Sequence, residues 1–120
     1  MPDDQPILIV DDDPQVLATV ADILEFEGYA VARAQNGAEA LDLLAAVAPR
    51  LVLLDMRMPV MDGWGFAQAV QARGLALPIV VMTAAQDARR WAHEIQAVGY
   101  LSKPFDIADL LAAVARFDPA

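Results

Sequence analysis

The sequence predicts an α/β fold of three layers, one parallel sheet of five strands between two sets of helices. Three observations predict it. Short apolar runs and amphipathic stretches alternate five times without a break between Ile7 and Val114. The runs Ile7-Leu8-Ile9-Val10, Leu51-Val52-Leu53-Leu54 and Ile79-Val80-Val81-Met82 are apolar throughout, as strands buried on both faces are. Acidic residues follow two of these runs directly, Asp11 and Asp12 after the first and Asp55 after the second, so the carboxylates stand where strands leave the sheet. Strict alternation of strand and helix implies right-handed crossovers and a sheet covered on both sides.

Residues 7–10 form the first strand. Asp13-Pro14 then supplies a cap and a first-turn proline for a helix carrying Val16, Leu17, Val20, Ile23 and Leu24 at helical spacing, and Gly28 stops it. Residues 29–34 read as the second strand, Asn36-Gly37 as a turn, and Ala40, Leu41, Leu44 and Val47 as one face of a second helix ended by Pro49. The third strand spans 51–54. The loop Met58-Pro59-Val60-Met61-Asp62-Gly63 leads to a helix bearing Phe66, Ala69 and Val70, closed by Gly74. Residues 78–82 are the fourth strand, 87 to about 97 the fourth helix, and Tyr100-Leu101 a short fifth strand. On the fourth helix Ala88, Trp91 and Ile95 share an inward face, with Arg89, Arg90 and His93 toward solvent. Asp106 caps a last helix whose core stripe is Ile107, Leu110, Leu111 and Val114.

At 120 residues the chain reads as a single domain spanning 1–120, able to bury roughly two-thirds of the surface its unfolded form exposes. Eight basic against 17 acidic residues give a net charge of −9, which repels nucleic acid and anionic lipid, so neither is expected as a direct partner. Without cysteine there is no disulfide framework and no thiolate metal site. The start, Met1-Pro2-Asp3-Asp4-Gln5-Pro6, is acidic and lacks the basic-then-apolar layout of a secretory signal. The apolar run from Leu75 to Met82 is far too short to span a bilayer and holds Pro78. A cytoplasmic protein is expected.

In an open parallel sheet the strand ends lie along one edge, so Asp11, Asp12 and Asp55 can converge despite their separation in sequence. Crowded carboxylates repel and call for a cation, and an all-oxygen set favours a hard one such as magnesium. Thr83 and Lys103 end strands at the same edge. Three carboxylates balanced by Lys103 and one magnesium ion leave no net charge, and an arriving phosphoryl group meets two cationic centres and a hydroxyl. A carboxylate can act as nucleophile and form an acyl phosphate; Asp55, alone at its strand end, suits that role, and the Asp11-Asp12 pair suits a metal.

The segments Ile-Leu-Ile-Val-Asp-Asp-Asp-Pro at 7–14, Leu-Leu-Asp-Met-Arg-Met-Pro at 53–59, Met-Asp-Gly at 61–63, Val-Met-Thr-Ala at 81–84 and Ser-Lys-Pro-Phe at 102–105 resemble the receiver domain of bacterial two-component response regulators. The resemblance covers the whole chain and implies a flavodoxin-like sheet of order 2-1-3-4-5, the order of the family's chemotaxis regulator, which alternation of elements alone leaves open. It implies phosphorylation of Asp55 by a histidine kinase. Magnesium, with manganese as a substitute, would be held by Asp12, Asp55 and the Arg57 main-chain carbonyl directly, and by Asp11 through water. Lys103 would contact the phosphoryl group from before a cis Lys103-Pro104 bond. Thr83 would close on the phosphate while Tyr100 turns inward, altering the surface of the fourth helix, fifth strand and fifth helix.

Taken singly, these residues have plainer readings. Asp13 serves equally as a helix cap, and Tyr100 as half-buried packing. Trp64 and Trp91 read as packing or partner-contact residues, His93 as a solvated helix residue, and Met56, Met58 and Met61 as loop packing. Two departures from the family pattern stand out. The Thr83-to-Lys103 interval is a little shorter than in most receivers, and Gln96 stands where a helix-ending glycine is common, so the fourth helix or its entry loop is expected to be shortened. Arg57 and Ala85 would flank the path of a hydrolysing water and tune phosphoryl lifetime.

The expected protein is therefore a stand-alone receiver without an output domain, a monomer or weak dimer. It is no conventional enzyme: it catalyses only its own phosphorylation from a donor and its own dephosphorylation. It would signal to a downstream target protein, or alternatively relay its phosphoryl group to a histidine phosphotransfer protein. A haloacid-dehalogenase-like phosphatase is a rival from another class, but Arg57 occupies the place of that family's second acid. A flavodoxin-like carrier would want a hydroxyl- and glycine-rich phosphate loop where Asp11-Asp12-Asp13 stands.

Overall fold

The computed structural model describes residues 5–119. Residues 1–4, on which much of the reading of the acidic start rests, lie outside the described residues. The elements alternate as β1 (Ile7–Val10), α1 (Pro14–Phe26), β2 (Val31–Ala34), α2 (Gly37–Leu43), β3 (Leu51–Asp55), α3 (Gly63–Ala72), β4 (Ile79–Ala84), α4 (Ala85–Glu94), β5 (Gly99–Lys103) and α5 (Ile107–Phe117). The strands form one parallel sheet of order β2-β1-β3-β4-β5.

The apolar runs divide between the two faces of the sheet by their alternation. Leu8, Val10, Val52, Leu54 and Val81 face a core closed by Ala40 and Leu41 of α2, Phe66 and Val70 of α3, Trp91 of α4 and Ile95 just past the end of α4. Ile7, Ile9, Leu51, Leu53, Val80 and Met82 face the other, closed by Leu17, Val20 and Leu24 of α1 and Leu110 and Val114 of α5. A strand apolar on both sides is stable only between two helical layers. Among the described residues no helix is long and apolar enough to cross a membrane.

Most helix ends follow their expected chemistry. Asp13 accepts the Gln15 amide at 2.9 Å, and Asp106 with Asp109 forms a reciprocal capping box on α5. Helices α1 and α3 close through Gly28 (φ +96°) and Gly74 (φ +68°), each with the paired end bonds of a Schellman motif. Helix α4 closes the same way through a non-glycine residue: Gln96 sits at φ +56°, its amide bonds the His93 carbonyl at 3.1 Å, and Ala97 bonds the Ala92 carbonyl at 2.9 Å.

Several boundaries differ from expectation. Tyr29 does not open β2; its amide bonds the Leu24 carbonyl to finish α1, so β2 starts at Val31. Asn36-Gly37 is no free turn, because Asn36 caps α2 by accepting the Glu39 amide at 2.9 Å. Helix α2 ends at Leu43, where Ala45 and Ala46 bond three residues back and tighten the chain into turns that carry Val47 out of the helix. Helix α4 begins at Ala85, immediately after β4, and ends at Glu94, so it has no entry loop and no side-chain cap. Strand β5 runs for five residues, since its register with β4 extends from Val80↔Gly99 to Ala84↔Lys103. Ile107, expected in the core, is 58% exposed: it sits in the first turn of α5, facing a groove beside Thr19 and Ile23 and clear of the sheet.

Candidate functional site

Register places the chemistry. Val10 pairs with Leu54, Asp55 with Met82, Thr83 with Ser102 and Ala84 with Lys103, so the carboxyl ends of β1, β3, β4 and β5 are level along one edge. Asp11 and Asp12 leave β1 there, Asp55 is the last residue of β3, and Lys103 is the last of β5. Thr83 lies inside β4, one residue from its end, and is buried.

Asp11 is fully buried, and both its oxygens are engaged. Oδ1 accepts the Asp13 amide at 2.9 Å, and Oδ2 accepts from the Lys103 ammonium at 2.8 Å. Asp55 is also buried; its Oδ1 accepts the Met56 amide at 2.9 Å and lies 3.8 Å from Lys103 Nζ. Asp12 is exposed and, among the described residues, makes no hydrogen bond or ion pair. One oxygen from each of Asp11, Asp12 and Asp55 can be chosen so that all lie within 4.8 Å of one another. Such a set, all hard oxygen donors with one member otherwise unengaged, fits magnesium.

Burial and the neighbouring Asp11 and Asp12 charges push the Asp55 carboxyl up from 3.8 to about 6, against the opposing pull of Lys103 and the Met56 amide. Asp55 therefore remains mostly ionised at neutral pH. The Lys103-Pro104 peptide bond is cis. Tyr100 lies in β5 opposite Val81 and is 45% exposed. Ala85 is the exposed first residue of α4.

The loop after β3 is held by close approach. The Gly63 amide bonds the Met56 carbonyl at 2.9 Å, and a Cβ on Gly63 would meet the Met56 main chain at 2.8 Å. The Gly37 amide bonds the Met61 carbonyl at 2.9 Å, joining this loop to α2. The methionines expected to pack the loop do so, with Met56 fully buried.

The sequence did not reveal where the Arg57 side chain goes. Its guanidinium lies 5.0 Å from the Trp91 ring centroid on α4. Trp91 in turn meets Trp64 edge-on, with centroids 4.9 Å apart and planes at 70°, and Trp64 Nε1 donates to Glu94 at 2.9 Å. A second unanticipated contact, the bidentate Arg50–Asp118 pair at 2.9 and 3.0 Å, ties the start of β3 to the end of α5. Neither pair has a sequence spacing that announces it, since both join elements distant in the chain.

A family model for the response regulator receiver domain matches residues 7–115. Response regulator MprA of Mycolicibacterium vanbaalenii is 42% identical over 108 residues, covering 88% of this chain and 47% of that protein. The DNA-binding transcriptional regulator NtrC of Escherichia coli is 38% identical over 112 residues, covering 92% of this chain and 24% of that protein. The chain thus spans about half the length of MprA and about a quarter of NtrC. Chemotaxis response regulator CheY4 of Vibrio cholerae has a structure that matches this one with a TM-score of 0.84 at 31% identity, over 94% of this chain and 98% of that one. With a family model spanning nearly all of the sheet and helices, relatives of this identity and a shared strand order, the chain belongs to the response regulator receiver domain family of two-component signalling.

Proposed function

We propose that the protein is a phosphoacceptor switch that takes a phosphoryl group from a histidine kinase onto Asp55 and signals by docking another protein. The observation that carries this reading is the convergence of Asp11, Asp12 and Asp55 at one sheet edge with Lys103 between two of them. Asp12, Asp55 and the Arg57 carbonyl would hold magnesium directly, with Asp11 behind them. Bound there, the ion would supply positive charge against the acids and the phosphoryl oxygens.

An ionised Asp55 oxygen attacks phosphorus. The new O–P bond forms as the donor's P–N bond breaks, and the kinase histidine nitrogen leaves with the electron pair. Lys103 contributes a cation within reach of the group that arrives, and the Met56 amide steadies the nucleophile by donating to Asp55 Oδ1, the same oxygen that lies 3.8 Å from Lys103. The Thr83 hydroxyl then closes on the phosphoryl group and Tyr100 turns inward. Arg57 and Ala85 flank the approach of hydrolysing water and set the lifetime. The changed surface includes exposed Arg89, Arg90 and His93 on α4, a basic stripe on an acidic protein that suits an acidic target docking to a monomer.

Beryllofluoride, which occupies a receiver carboxylate as a phosphoryl mimic, tests the assignment by fluorine NMR. A bound resonance is expected in wild type with magnesium, lost on chelation and absent in Asp55→Asn. A bound resonance that survives in Asp55→Asn would contradict it.

A further inference from the structure

Arg57 stands two residues past Asp55, so its main chain lies within about 7 Å of that residue's. A guanidinium there has three carboxylates nearby, and its planar fork matches carboxylate geometry better than any other cationic side chain does. It is not paired with them. Among the described residues Arg57 makes no ion pair, and its guanidinium rests on Trp91 instead. The ring beneath it is well fixed: Trp91 is 5% exposed, braced edge-on by Trp64, which Glu94 holds through the indole N–H.

We propose that Trp91 is a positioning residue for metal binding, which holds the Arg57 guanidinium on α4 and so keeps it out of the Asp11–Asp12–Asp55 cluster. The proposal rests on the reading of that cluster as the magnesium site. Guanidinium and magnesium compete for the same oxygens, and Lys103 already neutralises part of the cluster's charge. A second cation entering it would lower the attraction for the metal further. Stacking on a largely buried tryptophan face is strong enough to shift that competition by about three- to tenfold.

This role has a signature that packing alone does not produce, because the two partners act with opposite sign. Magnesium affinity of the full chain is measured by calorimetry with the metal alone, at neutral pH. Trp91→Leu, which frees the arginine, is expected to weaken binding about three- to tenfold, and Trp91→Phe, which keeps an aromatic face, to weaken it less. Arg57→Ala, which keeps the main-chain carbonyl, is expected to bind more tightly than wild type. Adding Trp91→Leu to Arg57→Ala is expected to change nothing further. Should Trp91→Leu fail to fold, Trp91→Phe carries the same cycle, and the tryptophan emission of Arg57→Ala, expected to differ from wild type, reads the stack directly. Equal weakening by the ring substitution in both backgrounds, or no effect in either, overturns the positioning role while leaving the metal site intact. A wild-type protein that binds no magnesium overturns the metal-site reading and this proposal with it.

Discussion

Lys103 pairs with Asp11 more closely than with Asp55: its ammonium lies 2.8 Å from an Asp11 oxygen and 3.8 Å from an Asp55 oxygen. Asp11 is fully buried, so the lysine neutralises a charge that water cannot reach. Lys103→Met is therefore expected to destabilise the metal-free protein by about 3 to 5 kcal/mol, the range for leaving a buried charge unpaired. Magnesium should recover part of that loss. Urea unfolding with and without the metal checks it, and a metal-free variant as stable as wild type would show that Asp11 does not depend on its partner.

Asp55 gives the site a pH dependence of definite sign. Its carboxyl is raised from 3.8 in the unfolded chain to about 6, so the folded state favours the protonated form. The stability this contributes is fully present below about pH 4 and is lost as pH rises through 6. Asp55→Asn should accordingly be more stable than metal-free wild type above pH 6, by on the order of 2 to 3 kcal/mol, with the difference vanishing near pH 4. Magnesium binding should weaken as pH falls through 6, because protonation removes a ligand. Melting curves from pH 4 to 8 decide the matter, and a constant difference between the two proteins would contradict it.

The fold was legible because its strongest signals are local. Runs such as Leu51–Leu54 and caps such as Asp13 and Asp106 announce themselves within a few residues, and the acids at strand ends point to a shared edge. The ends of elements were less legible where long-range bonds decide them. Strand β5 reads as two residues because Gly99, Ser102 and Lys103 have no strand-like character; pairing with β4 makes them one. The chain cannot show that Asp12 is left free while Asp11 is engaged twice, because that depends on where Lys103 comes to rest. Nor can it show Arg57 meeting Trp91 across the site.

Asp12 is the exposed member of the cluster and makes no structural bond, so Asp12→Ala should leave the metal-free fold intact. It should even stabilise that fold slightly by relieving the repulsion Asp12 exerts on Asp55. The rise in melting temperature that magnesium produces in wild type should disappear. A metal-induced rise that survives would remove Asp12 from the ligand set.

Gln96 closes α4 in a conformation that glycine adopts without strain. Gln96→Gly is expected to stabilise the protein by about 1 kcal/mol, a rise of roughly 4 °C or more in melting temperature for a domain of this size. Thermal unfolding measures it, and an unchanged or lower midpoint would mean that the glutamine side chain contributes a contact offsetting the strain.

The central claim is that Asp55 accepts a phosphoryl group. Wild type and Asp55→Asn, each incubated with magnesium and acetyl phosphate, are compared by intact mass before and after hydroxylamine. Wild type should gain one phosphoryl group, lose it to hydroxylamine, and fail to gain it when the metal is chelated, while Asp55→Asn gains none. Equal labelling of both proteins, or labelling of neither, would contradict the account.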